Sequence, residues 1–255
     1  MKPDHLAVWG SAQADQAVRL HGFAEERVHV VGSLRMDQNP DYDLPLFLLC
    51  GDKPVVMVAG TSISYWKNEE EIVRLLATWR KDDLRVWYRP HPRRLSRLEG
   101  DLDSLKAKWW SLGVWFDPGN GIPDKPEKPG RLAGILKKVR LVLTSFSTVA
   151  VEAALQGTPS VLVGFGGSTG GSEPGCGGTI MEHAGYEHMQ TVLKWPGIHL
   201  VNDFNNLFDK VDGIIHRVYL RSEAEALRAN ALEIVAADGH SAERMLNLIR
   251  RLAGG

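Results

Sequence analysis

Residues 139–163 decide the fold, and they read VRLVLTSFSTVAVEAALQGTPSVLV. The apolar, β-branched run at the start predicts a buried strand, which is followed by a hydroxyl-rich turn from Thr144 to Thr148. The next residues, Val149 to Leu155, predict a helix that ends at Gly157, and a second strand follows. Hydroxyls cap the start of a helix while its remaining N–H groups stay available to an anion. The segment therefore predicts a phosphate-binding turn.

The same alternation of strands and helices continues along the chain. Apolar runs predict strands at Val55 to Ala59, Leu84 to Tyr88, Val114 to Phe116, from Leu141, from Ser160, and at Ile198 to Val201. Helices are predicted at Asn68 to Arg80, near Ser96 to Leu112, from Val149, and near Phe204 to Tyr219, Ser222 to Ala236 and Ser241 to Leu252. This order predicts an α/β fold, a doubly wound parallel sheet of Rossmann-like type with C-terminal helices.

The opening residues are predicted to belong to a different unit. A short strand at His5 to Val8, a helix at Ser11 to Leu20 and an extended run at Val28 to Gly32 bury too little to stand alone. A linker-like stretch with two prolines follows at 37–45. We therefore expect residues 1–37 to be the remnant of a preceding domain with the crossing between domains, and residues 38–255 to form the main domain.

Composition excludes several classes of function. The chain is 44% hydrophobic, and 30 Lys and Arg balance 31 Asp and Glu, so no general affinity for nucleic acid is expected. Cys50 and Cys176 lack metal-ligand spacing, and neither a disulfide nor a metal site is expected. The sequence shows neither an apolar signal region nor an apolar run of about 18 residues, so we expect a cytoplasmic protein without a transmembrane segment.

Candidate binding residues follow the predicted strands. In such sheets ligands bind beyond the carboxyl ends of the strands. The candidates there are Gly60, Thr61 and Ser62 after the first strand, Arg89 and His91 after the second, and Ser145, Ser147 and Thr148 after the fourth. A glycine-rich loop, Gly164 to Gly178, follows the fifth strand. It matches neither a Walker loop nor a Rossmann fingerprint.

His91 is the candidate catalytic residue. It lies between Pro90 and Pro92, which fix the backbone around it. Its imidazole can donate a hydrogen bond to a phosphate or to a leaving-group oxygen, with Arg89, Arg93 and Arg94 as charge partners. The alternative is a solvated basic loop.

Glu152 is the one carboxylate in an otherwise apolar helix. It does not occupy the N3 position of a cap at Ser147 or Thr148, so a capping box does not explain it. The apolar surroundings predict that it is buried beside a cleft, where it can accept hydrogen bonds from ribose hydroxyls. The alternative is a partly solvated helix edge. His183 and His188 lack a metal-ligand partner and are interpreted as surface residues.

The order of these motifs resembles the carboxyl-terminal, nucleotide-sugar-binding half of GT-B glycosyltransferases. It looks most like the surface- and capsule-polysaccharide transferases and the CDP-glycerol glycerophosphotransferase-like group. Four segments carry the likeness: 30–37 (VVGSLRMD), 89–92 (RPHP), 145–153 (SFSTVAVEA) and 239–244 (GHSAER).

The resemblance implies a role for each motif. His91, Ser147 and Thr148 would contact the phosphates of a CMP-, CDP- or UDP-linked sugar donor, and Glu152 would contact the ribose. No other cofactor is implied. Many retaining members carry a second glutamate eight positions before the ribose-binding one, whereas this chain has Thr144 there. The acceptor-binding N-terminal domain of that fold precedes the matched part, so a partner domain or subunit is implied for activity.

Two other functions remain open. UDP-N-acetylglucosamine 2-epimerases share the GT-B layout and a similar crossing between domains. Their pattern has an acidic turn and a pair of glutamates where this chain has 144–148 and the single Glu152. The third hypothesis is a non-catalytic nucleotide-binding module that assembles with a partner.

Overall fold

The computed structural model describes residues 2–37, 52–61, 69–79, 82–95, 101–119, 128, 130–165, 184–217 and 220–254. In these residues the chain forms a small two-stranded sheet and a six-stranded sheet, both parallel. The small sheet pairs β1 (Leu6–Val8) with β2 (Val28–Val30). The large sheet contains β3 (Val55–Ala59), β4 (Arg85–Arg89), β5 (Val114–Phe116), β6 (Leu141–Thr144), β7 (Ser160–Val163) and β8 (Ile198–Val201).

Helices connect the strands and cover the large sheet. They are α1 (Ser11–His21), α2 (Glu69–Trp79), α3 (Pro92–Leu95), α4 (Leu102–Trp110), α5 (Arg131–Lys138), α6 (Thr148–Leu155), α7 (Glu187–Val192), α8 (Phe204–Ile215), α9 (Arg221–Ile234) and α10 (Ser241–Ala253). Among the residues described, no helix combines the length and the apolar character needed to cross a bilayer.

The large sheet is doubly wound, as the sequence predicts. Its spatial order is β5-β4-β3-β6-β7-β8, and β3, β6 and β7 are buried throughout. Successive side chains of a strand point to opposite faces, so Val56 and Val58 pack with α2, α4 and α8, whereas Val55 and Met57 pack with α5. Burial on both faces explains why these strands read as continuous apolar runs.

The helices differ from the sequence prediction in several places. The helix predicted near Ser96 to Leu112 begins at Leu102, because the Asp101 carboxylate accepts hydrogen bonds from the N–H groups of Asp103 and Ser104, both at 2.9 Å. A separate short helix, α3, precedes it. Two further helices, α5 and α7, were not predicted. Helix α5 begins directly after Gly130.

The junction between the small and large sheets is held by the connection between α9 and α10. The Asp37 carboxylate accepts hydrogen bonds from the N–H groups of Gly239 and Ser241, and the Arg244 Nε donates to the Val31 carbonyl at 3.2 Å. Gly32, the residue after Val31, has a φ of +85°. These contacts join two of the four segments that carry the resemblance, 30–37 and 239–244.

Gly32→Ala is expected to destabilise the chain by more than a positive backbone angle alone explains. An added Cβ would lie 2.2 Å from the Ser241 Oγ and 2.3 Å from the Ala236 carbonyl oxygen. Gly113→Ala is the matched control, since its φ is +74° and an added Cβ there meets nothing within 4 Å. Urea denaturation should show a loss of roughly 1–2 kcal/mol for the control. A further loss of about 1–3 kcal/mol is expected for Gly32→Ala. Equal losses would contradict the proposed close packing.

Candidate functional site

The direction of winding reverses between β3 and β6. From β3 the chain steps outward to β4 and β5, then returns to β6 beside β3 and steps the opposite way to β7 and β8. The loops that leave these two central strands therefore diverge, and a crevice opens between them at the carboxyl ends of the strands. The sequence predicts a ligand at this edge of the sheet.

We define the crevice as the cavity of about 180 Å³ at this position. Its wall is formed by Arg35, Ala59, Gly60, Arg89, Pro90, His91, Pro92, Pro118, Leu132, Ser147, Thr148 and Val149. Five residues predicted from sequence thus meet in one place, although they follow three different strands: Gly60, Arg89, His91, Ser147 and Thr148.

The start of α6 supplies one side of the crevice. Ser147 is the N-cap residue, and its Oγ accepts a long hydrogen bond of 3.4 Å from the N–H of Val149. The first turn carries no acidic side chain. Because Thr148 and Val149 line the crevice, the positive end of the helix dipole lies against it. This arrangement is suited to an anion.

A buried glutamate holds the loop after β3. The Glu69 carboxylate accepts hydrogen bonds from the Thr61 N–H at 3.1 Å and from the Tyr88 hydroxyl at 2.8 Å, and Glu69 is fully buried. A Cβ at position 60 would lie 2.3 Å from the Glu69 Oε1, so any larger residue there would displace this carboxylate from its hydrogen bonds. The backbone of the loop is thereby fixed where it lines the crevice.

A buried aspartate organises the other side. The Asp117 carboxylate accepts hydrogen bonds from Arg89 at 3.0 Å, from both terminal nitrogens of Arg131 at 3.0 Å and from the Trp87 Nε1 at 3.1 Å. Burial raises the pKa of Asp117, but the charges of Arg89 and Arg131 outweigh that effect, so the pKa lies below its ordinary value. Two guanidinium groups are thus paired with this one carboxylate beside the crevice.

Glu152 is buried, as predicted, and it forms an ion pair that the sequence did not predict. Its Oε1 lies 2.8 Å from the Arg35 guanidinium, and the two side chains are 7% and 61% exposed. Arg35 comes from the crossing between the two sheets and also lines the crevice. Glu152 does not line the crevice itself and is linked to its wall through Arg35.

Other predicted residues do not reach the crevice wall. Thr61 and Ser145 are buried, at 5% and 2% exposure, and do not line the crevice. Ser62 lies outside the described residues, as do Cys50, Cys176, His183 and positions 166–178 of the glycine-rich loop. The side chains of Arg93, Arg94 and His188 are likewise not described. In the described part of the chain, no three His, Cys, Asp or Glu side chains converge as metal ligands.

Sequence reasoning does not identify four residues of the site: Arg35, Glu69, Asp117 and Arg131. Arg35 lies within segment 30–37, which is part of the resemblance, but the sequence does not indicate that its side chain pairs with Glu152. Glu69 lies in the first turn of a predicted helix, where acidic residues are common for reasons unrelated to a binding site. Asp117 directly follows a predicted strand, which is the signal that could have identified it.

Asp117→Asn is expected to lower the free energy of unfolding by about 3–5 kcal/mol at neutral pH, because Arg89 and Arg131 lose their buried counter-charge. The pKa of Asp117 is lowered in the folded chain, so its contribution is complete above the pKa of an unfolded aspartate, about 3.9. That contribution is lost as the pH falls through the lower folded pKa. Urea denaturation measures the free energy of unfolding of the wild type and of the variant. The difference between the two free energies should be constant near pH 5–8 and should shrink below about pH 4.

Asp103→Asn is the control for this experiment. Asp103 is 90% exposed and pairs with Lys106 at 3.0 Å within one helix, so its loss should cost less than about 0.5 kcal/mol. Equal effects of the two substitutions would show that the buried cluster does not stabilise the fold.

Known proteins share parts of this sequence and fold. No family model matches the chain. The D-inositol 3-phosphate glycosyltransferase 1 of Catenulispora acidiphila is 27% identical over 197 residues, which are 70% of this chain and 45% of that protein. The chain thus spans less than half the length of this curated relative.

Solved structures with the same fold cover nearly the whole chain. One is the UDP-GlcNAc 2-epimerase of Methanocaldococcus jannaschii, which was solved with UDP-GlcNAc and UDP. The alignment covers 97% of this chain and 61% of the epimerase chain, at 16% identity and a TM-score of 0.57. The wall teichoic acid polymerase TagF aligns with 97% of this chain and 57% of its own at 14% identity and a TM-score of 0.58. Both confirm the α/β fold expected from the sequence. The chain has the architecture of one half of a GT-B fold, and its curated relative is a glycosyltransferase.

Proposed function

We propose that this chain is the donor-binding half of a GT-B glycosyltransferase that uses a pyrimidine nucleotide-sugar in the synthesis of surface polysaccharide or another glycoconjugate. The observation that carries the proposal is the crevice. Gly60, His91, Ser147 and Thr148 come from three separate loops and line one cavity at the reversal point of the sheet. The glycosyltransferase relative supports the reaction class.

The crevice is suited to the phosphates of the donor. Its volume of about 180 Å³ is below the 300–1,000 Å³ of ordinary ligand pockets, so it matches a diphosphate rather than a whole nucleotide-sugar. The start of α6 favours an anion there, and Arg89 lines the same crevice. His91 would donate a hydrogen bond to the phosphate that leaves with the nucleotide, and so would stabilise the charge that develops on it.

His91→Ala should weaken binding of the nucleotide by on the order of 1–3 kcal/mol, because a hydrogen bond to a charged phosphate is lost. Calorimetric titration of CMP, CDP, UDP and GDP into the wild type should first identify a pyrimidine nucleotide that binds better than GDP. His216→Ala is the control, since His216 is exposed at the end of α8 and pairs only weakly with Asp212 at 3.5 Å. If none of the four nucleotides binds at millimolar concentration, the proposed function is wrong.

Glu152→Gln tests the assignment of its carboxylate to the ribose. The variant keeps the shape and removes the charge, so it should weaken binding of the ribonucleotide more than binding of its 2′,3′-dideoxy analogue. Arg35→Gln is the control, because it also breaks the ion pair with Glu152 but leaves the carboxylate in place. That control should change both affinities by the same factor. A Glu152→Gln variant that also affects both ligands equally would leave Glu152 as a partner of Arg35 alone.

An acceptor-binding domain completes the proposed enzyme. Holding the acceptor and its base against the donor can be worth roughly 7–11 kcal/mol, and a donor-binding half does not provide that positioning. We therefore expect the 255-residue chain to bind the donor without transferring the sugar, and to transfer it when the N-terminal half of a GT-B transferase is supplied in trans or by fusion. Product analysis by mass spectrometry measures both. Rapid transfer by the chain alone would contradict the half-enzyme proposal.

Epimerisation is the second candidate function, and the fold shared with the UDP-GlcNAc 2-epimerase favours it. That reaction needs no acceptor. Incubation with UDP-GlcNAc distinguishes the two candidates, because an epimerase changes the configuration at the second carbon of the sugar and a transferase leaves it intact.

A further inference from the structure

A second cavity lies on the other side of the start of α6. It has a volume of about 500 Å³ and lies between the small sheet with α1 and the helices α6, α7 and α9. We call it the side cavity and define it by Trp9, Gln13, Gln16, Phe146 and Met189. Ser147 and Thr148 line both the side cavity and the crevice. A phosphate bound at these two residues would therefore stand at the border of both spaces.

The lining of the side cavity carries no charged side chain in the part of the chain that the structure describes. Most of its wall is apolar, with Trp9 and Phe146 offering aromatic rings and Val192 and Ile234 offering aliphatic groups. Its polar side chains, besides the two hydroxyls at the border, are the amides of Gln13 and Gln16. A mostly apolar pocket with a few neutral polar groups suits a ligand that has both carbon faces and hydroxyl groups.

Gln13 supplies an independent observation. Its Oε1 is buried and receives no hydrogen bond from the described residues. A buried amide oxygen without a donor is unfavourable, and a ligand hydroxyl reached by rotation of this side chain would satisfy it. Gln13 and Gln16 lie three positions apart on α1, so both amides face the same space.

The position of Trp9 is fixed by the backbone around it. Its carbonyl oxygen accepts a hydrogen bond of 2.8 Å from the Ala236 N–H, and the next residue, Gly10, packs so closely on α9 that an added Cβ would lie 2.0 Å from the Ile234 carbonyl oxygen. Trp9 is nevertheless 41% exposed. An exposed aromatic ring on a fixed backbone is available to a ligand and loses little freedom when it binds.

We propose that the side cavity receives the glycosyl group of the donor and selects a neutral sugar over an acidic one. This inference rests on the proposed function. With the diphosphate at Ser147 and Thr148 and the nucleoside on the side of the crevice, the sugar extends into the side cavity. A neutral ring packs on Trp9 and exchanges hydrogen bonds with Gln13 and Gln16. A carboxylate there would lose water without gaining a cationic partner from the described lining residues, which is unfavourable.

Calorimetry with matched ligands tests the proposal. UDP-glucose and UDP-glucuronate differ only at the sixth carbon of the sugar, which is an alcohol in the first and a carboxylate in the second. UDP is the reference without a sugar, and CDP with CDP-glucose serves as the parallel series. The wild type is expected to bind UDP-glucose at least fivefold more tightly than UDP, and UDP-glucuronate at least tenfold more weakly than UDP-glucose. Trp9→Ala and Gln13→Ala should remove the gain from glucose and leave the affinity for UDP unchanged. Trp110→Ala is the control, because Trp110 is also an exposed tryptophan. It lies at the end of α4, and this helix packs against the edge strand β5.

A fluorine NMR measurement keeps the test independent of the stability of these variants. In the wild-type sequence labelled with 5-fluorotryptophan, the Trp9 signal is assigned by its loss in Trp9→Phe. It should shift on addition of UDP-glucose and stay in place with UDP. Two results would overturn the sugar site while the proposed function stands. In the first, UDP binds, but neither the Trp9 signal nor the Trp9 and Gln13 variants distinguish UDP from UDP-glucose. In the second, UDP-glucuronate binds as well as UDP-glucose. If no uridine or cytidine ligand binds, both proposals are wrong.

Discussion

The pairing of β3 with β6 is the constraint on which the rest of the structure depends. These strands are neighbours through Val56 to Val58 and Leu141 to Leu143, although more than eighty residues separate them along the chain. Because the connections to their other neighbours run in opposite directions, the crossovers lead away from each other and leave a space above the two strands. The crevice is thus a product of topology. The side chains that line it only decide what it can bind.

Buried carboxylates then fix the loops around that space. Glu69 holds the loop after β3, Asp117 holds the loops after β4 and β5, and Glu152 contacts the crossing from the small sheet through Arg35. A buried carboxylate stabilises a structure little in net terms when it is fully paired, but losing one of its partners is costly. Such pairs therefore enforce one geometry of the loops more than they add to the overall stability.

Local signals in the sequence predicted the strands and most of the helices. Gly22 and Gly157 end their helices at positive φ, and the strands from Val55 and Val114 begin and end where apolar runs predict. The short helix α5 was missed because Gly134 interrupts it and prolines precede it. The partners of the buried carboxylates could not be predicted. Arg35 and Glu152 are far apart in sequence, and only the completed sheet brings them together.

The tight contact between Gly60 and Glu69 restricts how such a sequence can change. A Cβ at position 60 would overlap the carboxylate at position 69, and a shorter residue at position 69 would leave the Tyr88 hydroxyl and the Thr61 N–H without their acceptor. Neither position can be altered alone without strain or a lost hydrogen bond. In a family alignment, glycine at 60 and glutamate at 69 should therefore be retained or replaced together, as a covarying pair.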